Sequence, residues 1–367
     1  MHTSNAHSWP GIVGWSALSP LGRDRQSFID GLVNGRSGQP VAVSDGTPLT
    51  GYLVDARDPA ELIGAQGSRT VDRMTSMVIA VTSSLLAEQA AAIGDGRSGI
   101  GLVLGTSTGS INSITEFVKD TFVQAKPYFV KPADFPNTVM NGAAGRTAIW
   151  HGLRGLNSTV SGGHVTAFAA LRYAARMIRR GYAETLLVGA VEELSPPVAW
   201  AATKIRGGNG VTPLGEGCVM FLLEDQATTR RRGRRPLASL VDFESTVVAP
   251  RSGPAERAGA LAGAITTLLA RSGTSAADLW AVSLAQSGNA DLDRAELAAI
   301  DEVLAGAQPR RIVPSRQIGD TFSASGAFQV AALLACAQER SQPPGSRLAL
   351  TTSLGFDGAA ACALIRV

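Results

Sequence analysis

Apolar residues along this chain fall into two rhythms: short runs that are apolar at nearly every position, and longer stretches of Ala, Leu and Met at helical spacing. The short runs predict buried strands over residues 12–15, 99–105 (GIGLVLG), 185–190, 218–223, 237–243, 280–284, 347–352 and 360–367. The longer stretches predict helices over 25–32, 70–92, 142–152, 255–270, 292–304 and 323–337. Turn residues separate them at 19–22 (SPLG), 106–109 (TSTG) and across 204–217. Proline and aromatic residues dominate 126–140, which predicts an irregular, packed segment. Residues 157–181, NSTVSGGHVTAFAALRYAARMIRRG, begin as a strand and end as a helix, with Ser161-Gly162-Gly163-His164 at the junction.

Strands alternate with helices throughout, which favours an α/β fold with largely buried mixed sheets. The alternation restarts after residue 235, and each part carries a small-residue helix behind a glycine turn. The chain therefore reads as two related halves, 1–235 and 236–367, in one compact unit. Its 367 residues are 45% hydrophobic with 41 glycines and 5% aromatics, a composition suited to closely packed layers with tight turns.

Charge changes this picture little. A net +3 is small for the length, and the densest basic run, Arg230-Arg231-Arg232-Gly233-Arg234-Arg235, has no aromatic residues interleaved. That argues against a nucleic-acid partner and for a solvated linker between the halves. Cys218, Cys336 and Cys362 all sit in apolar stretches and read as core residues, not as a disulfide framework or a metal site. The first residues, MHTSNAHSWPG, lack the pattern of a secretory signal, and no apolar stretch reaches the roughly 18 residues of a membrane span. A soluble, cytoplasmic protein is the expectation, with no membrane partner.

A strand, a small-residue turn and a helix commonly present a nucleophile at the helix N-terminus, yet the residue there is an imidazole, His164. Several stretches, in chain order, resemble the β-ketoacyl synthase family of the thiolase fold. IVGWSALSPLG (12–22) resembles its first strand and turn, and residues 126–155 resemble its dimer-forming region. Gly189-Ala190-Val191-Glu192 resembles the strand after the nucleophile helix. The turns at Gly215 and Gly217 and at Gly355, Phe356 and Gly358 resemble its structural glycine turns. The resemblance implies an α/β thiolase-like fold, with two related halves in a layered αβαβα arrangement.

The family's chemistry uses a cysteine that takes the acyl chain and two histidines that assist decarboxylation and stabilise the oxyanion. Matched residue by residue, His164 stands at the cysteine position. Ala285, Gln286 and Ser287 stand where the first histidine falls, Asp320 stands at the second, and Ser315 at a lysine. His2 and His7 lie in the N-terminal segment, and His151 reads as structural, so no second histidine rebuilds the site. No catalytic residue, metal or cofactor is expected. Such a pattern is most like a chain-length factor, the catalytically silent subunit of a type II polyketide synthase, although such partners often carry glutamine at the nucleophile position.

The implied partners are an active, cysteine-containing ketosynthase, forming a heterodimer, and an acyl carrier protein that delivers the chain, directly or through that ketosynthase. Tyr128, Phe129, Phe135, Asn137, Thr138, Val139 and Met140 are the expected interface and cavity wall, for elongation of a polyketide or polyene. Two other classes stay open: an acyltransferase or hydrolase acting alone through a His164–Asp320 dyad, and an acyl-binding scaffold.

Overall fold

The computed structural model describes residues 9–43, 50–206, 212–338 and 347–367. Ten strands build one continuous sheet: β1 Gly11–Leu18, β2 Gly101–Gly105, β3 Asn157–Val160, β4 Thr185–Glu192, β5 Gly217–Glu224, β6 Ala238–Val247, β7 Leu279–Ser283, β8 Arg310–Ile312, β9 Leu348–Leu354 and β10 Ala359–Arg366. Nine helices matter to the layers: α1 Arg25–Val33, α2 Arg73–Glu88, α3 Ile111–Val123, α4 Gly142–His151, α5 Thr166–Arg179, α6 Pro196–Arg206, α7 Pro254–Ser272, α8 Ala290–Leu304 and α9 Ser325–Gln338.

From the centre outward the first half runs β1-β5-β4-β2-β3, and the second runs β6-β10-β9-β7-β8. In each half the first two pairings are antiparallel and the last two are parallel. The order and directions are thus the same in both halves, a repeat that their sequences barely show. Only Gly11 with Ser239 and Ile12 with Ala238 pair across the junction.

Helices α5 and α9 form the central layer. One apolar cluster there joins Phe168, Leu171 and Ile178 of α5 to Phe328, Val330 and Leu333 of α9 and to inward residues of both half-sheets. Twelve residues of α9 are buried, which suits its composition of Ala, Gly, Leu and Val on every face. A second cluster packs α2 and α4 on the outer face of the first half, and a third packs α7 and α8 on the second. The layering is α, β, α, β, α. Among the described residues no single helix is long and apolar enough to cross a membrane.

Some sequence expectations change. The arginine run is a solvated linker only in part. Arg232 and Arg234 both bond the fully buried Glu224 carboxylate, Arg234 also donates to Gln89 at 2.6 Å, and Arg231 pairs with Glu184 at 2.7 Å. A carboxylate buried at the end of β5 requires such partners, so part of the run is structural. The helix expected over 70–92 starts at Arg73, where Asp72 accepts from the Thr75 N–H at 2.9 Å, and α2 ends at Glu88 before a separate short turn of helix. Helices α3 and α6 were not legible as periodic segments; α3 buries none of its residues. The turn-rich expectation over 204–217 overlaps the end of α6, and residues 207–211 of it lie outside the described residues.

Candidate functional site

Strand β3 stops at Val160, and Gly163 takes φ +59°, a left-handed conformation that a side chain would oppose. The Thr166 hydroxyl donates to the Gly163 carbonyl at 2.7 Å and accepts from the Gly162 N–H at 2.8 Å, tying the turn to the first residue of α5. This arrangement places His164 at the head of α5 and only 5% exposed. The Phe322 ring meets the imidazole edge-on at 4.6 Å, the Phe356 ring meets it at 6.0 Å, and the two phenyl rings stack at 6.0 Å. His164 Nε2 lies 3.6 Å from Asp320 Oδ2, and neither ring nitrogen has a hydrogen bond.

Asp320 reaches this point through the second half of the chain. The segment 318–320 crosses the turn at Gly215, where the Gly215 N–H donates to the Asp320 carbonyl at 2.8 Å and the Asp320 N–H donates to the Pro213 carbonyl at 2.7 Å. A Cβ on Gly215 would stand 2.0 Å from the Ile318 carbonyl oxygen, so only glycine permits the approach. Beyond it, the Phe322 N–H donates to Asp320 Oδ1 at 2.9 Å, and Phe322 itself adopts φ +49°. That strained backbone turns its ring onto His164. On the opposite side, the Arg257 guanidinium donates to the carbonyls of Gly355 at 2.7 Å and Phe356 at 3.2 Å and holds the loop that carries Phe356.

Carboxylates crowd the surroundings. Glu192, at the end of β4, is buried and accepts from the Ser107 N–H at 2.6 Å, the Thr108 N–H at 3.3 Å and the hydroxyls of Thr108 and Ser323. Burial raises its pKa against those hydrogen bonds. Glu296 accepts from the N–H groups of Ala285 and Gln286, at 2.9 and 3.0 Å, and so shapes the turn after β7; burial raises its pKa as well. Ser315 donates to the Gln286 carbonyl at 3.0 Å. Asp293 accepts from the Gly288 N–H at 3.0 Å, and burial, with Glu296 nearby, pushes it up to about 6.

A cavity of about 350 Å³ opens beside His164. Asp320, Phe322, Phe356, Ser287 and Glu193 share its wall, and α6 supplies Pro197, Val198, Ala201, Ala202 and Ile205. Of the positions singled out from sequence, His164, Asp320, Ser287, Gly215 and Phe356 line this cavity; Ala285, Gln286 and Ser315 stand behind its wall. The stretch 128–140 does not line it. Tyr128, Phe129, Phe135, Val139 and Met140 are exposed, Thr138 is half-buried, and Asn137 is buried and donates to the Thr70 carbonyl. Sequence reasoning missed Phe322, α6 and Glu193. Only the doublet Glu192-Glu193 at the end of an apolar strand could have signalled the last.

The imidazole is held between the Phe322 and Phe356 rings with no hydrogen bond at either nitrogen, so no partner group prepares it as a base. No thiol reaches the cavity among the described residues. Cys218, Cys336 and Cys362 are buried, and burial pushes the Cys218 thiol far above its usual range and that of Cys362 up to about 12.

The chain belongs to the β-ketoacyl synthase family: the N-terminal domain of that family matches residues 11–228 and the C-terminal domain matches residues 237–348. Within it, the chain superposes on a chain of the solved ishigamide ketosynthase/chain length factor with a TM-score of 0.85 and 33% identity, covering 98% of this chain and 99% of that one. It is 28% identical to the 3-oxoacyl-(acyl-carrier-protein) synthase 2 of Vibrio harveyi over 257 residues, which is 63% of this chain and 61% of the relative's length. It is 26% identical to the tetracenomycin polyketide synthase ketoacyl synthase alpha subunit of Streptomyces glaucescens, over 91% of this chain and 85% of that subunit.

Proposed function

We propose that this chain is the non-catalytic, chain-length-factor-like subunit of a ketosynthase pair, and that it shapes the acyl-chain cavity while a cysteine-bearing partner elongates a polyketide or polyene. The observation that carries this reading is His164. Matched by sequence resemblance to the position of the family's thiol, it is buried, clamped by Phe322 and Phe356 and without a hydrogen bond. An imidazole there forms no thioester with an acyl chain. Likeness to a ketosynthase/chain length factor structure at 33% identity over nearly the whole chain supports the same reading.

Exposed apolar residues supply the surface such a partner needs. Phe122 is 82% exposed and Ile149 is 83%, with Tyr128, Phe129 and Phe135 also exposed, in and between the helices that precede the edge strand β3. Apolar side chains exposed in this number suit burial by a partner subunit. The partner's cysteine receives the chain from an acyl carrier protein, and this subunit contributes walls and the interface, with no cofactor or metal of its own.

Reconstitution with a cysteine-containing ketosynthase and a malonyl-loaded carrier protein tests the proposal, with products read by mass spectrometry. Elongation should require both subunits and should survive His164→Ala. Turnover of an acyl thioester by this chain alone, lost in His164→Ala, would instead establish the His164–Asp320 pair as chemistry.

A further inference from the structure

Glu193 is a buried carboxyl group of this cavity that its surroundings satisfy only in part: the Asn112 N–H donates to it, but Oε1 has no partner. It is 4% exposed, lines the cavity, and has no hydrogen bond at Oε1. Its neighbours explain why. The nearby cation, Arg73, is already committed to the buried Glu216 carboxylate through two bonds of 2.5 and 2.6 Å, and Glu216 also accepts from the N–H groups of Val54 and Leu194. Asp72 faces Glu193 as a second like charge and is occupied by Thr75 and Ser110. Burial, Asp72 and Glu216 outweigh Arg73 and the Asn112 N–H and push the Glu193 carboxyl up to about 8. At neutral pH it is therefore an acid with an O–H to donate, set in a wall made mainly of Ile111, Leu194 and the apolar side chains of α6.

We infer that Glu193 is the polar anchor of this cavity: it donates a hydrogen bond to a carbonyl oxygen of an otherwise apolar acyl chain and selects neutral acyl compounds over free carboxylates. A cavity of about 350 Å³ lies within the ~300–1,000 Å³ of small-molecule sites, which are typically apolar with a few placed polar groups. A buried donor left unpaired disfavours a ligand with no acceptor, and this selects against chains that carry no carbonyl. A carboxylate ligand would have to bury its charge in this mainly apolar wall, which costs far more than burying a neutral thioester. The inference rests on the proposed function only in taking the ligand to be an acyl chain.

Calorimetric titration of the full chain with octanoyl N-acetylcysteamine thioester, octanoate and octylamine tests it. The thioester should bind about tenfold or more tighter than octanoate at neutral pH. Glu193→Leu should cost the thioester about tenfold, whereas Glu193→Gln keeps an N–H donor and should lose less than about threefold. Wild-type affinity should also fall as the pH rises through about 8, and Glu193→Gln should flatten that fall. Comparing the two proteins cancels titration of Asp72, Arg73, Glu192, Glu216, His164 and Asp320, which face the same region. Equal binding of octanoate, tightest binding of octylamine, no binding of any probe, or a pH profile unchanged in Glu193→Gln would each overturn the inference. Failure of the two-subunit reconstitution, with thioester binding intact, would overturn the proposed function and leave this one standing.

Discussion

His164 Nε2 and Asp320 Oδ2 stand 3.6 Å apart with both side chains about 6% exposed, a contact between the heads of the two central helices that stops short of a hydrogen bond. The imidazole is buried chiefly by the rings of Phe322 and Phe356. An apolar residue of similar size should therefore serve as well. His164→Leu removes two buried, unbonded nitrogens, each of which carries a desolvation cost of about 1–3 kcal/mol. Urea denaturation should show stability unchanged or raised. A loss above about 2 kcal/mol would mean that a charged imidazole pairs with Asp320.

The glycine at 215 decides whether the Asp320 segment can lie where it does. With a Cβ 2.0 Å from the Ile318 carbonyl oxygen, Gly215→Ala must displace backbone and not a flexible side chain. Overpacking of this kind costs about 1–3 kcal/mol, and that loss should appear in denaturant unfolding. Hydrogen exchange should quicken at the N–H groups of residues 215 and 320, whose bonds to the Asp320 and Pro213 carbonyls depend on the approach.

Phe135 separates an interface role from a packing role. It is 58% exposed and touches Phe117 of α3 at a ring separation of 6.0 Å. Phe135→Ala should cost the isolated chain less than about 1 kcal/mol, a surface-level effect. If the surface is covered by a ketosynthase partner, the same change should weaken association by tenfold or more, about 1.4 kcal/mol, in analytical ultracentrifugation.

Stability should also carry a signature of Glu193. Its carboxyl is raised from an ordinary 4.5 to about 8, so the folded state holds a proton that the unfolded chain has released. The contribution is fully present below about pH 4.5 and is lost as pH rises toward about 8. Glu193→Gln cannot titrate, so wild type should lose stability relative to it across that window, by a few kcal/mol in total. A constant difference between the two from pH 5 to pH 8 would show that Glu193 is ionised throughout.

Much of the architecture was legible along the chain because strands buried on both faces leave uninterrupted apolar runs, as GLVLG in β2 and CVMFLL in β5 do. The strand–turn–helix around His164 was visible for the same reason, its punctuation being Gly162-Gly163. Helix α3 was not, since its apolar residues are divided between half-buried Ile111, Ile114 and Phe117 and exposed Val118, Phe122 and Val123, with no fully buried stripe. The arginine run misled because composition shows charge and not its partner: Glu224 lies at the end of an apolar strand that the run folds back upon.

Residue order alone therefore determined the alternation of elements and the identity of the side chain at the head of α5, since these depend on local periodicity and on which residue follows a glycine turn. Tertiary structure decided the rest. It brought Asp320 and Phe322 onto His164 across the Gly215 contact, set Phe356 beside them under the hold of Arg257, and gave Arg73 to Glu216, which left Glu193 Oε1 without a partner in an apolar wall. Each of these depends on which distant groups share one small volume and on how far water is excluded from it, and neither quantity is written in the spacing of residues along the chain.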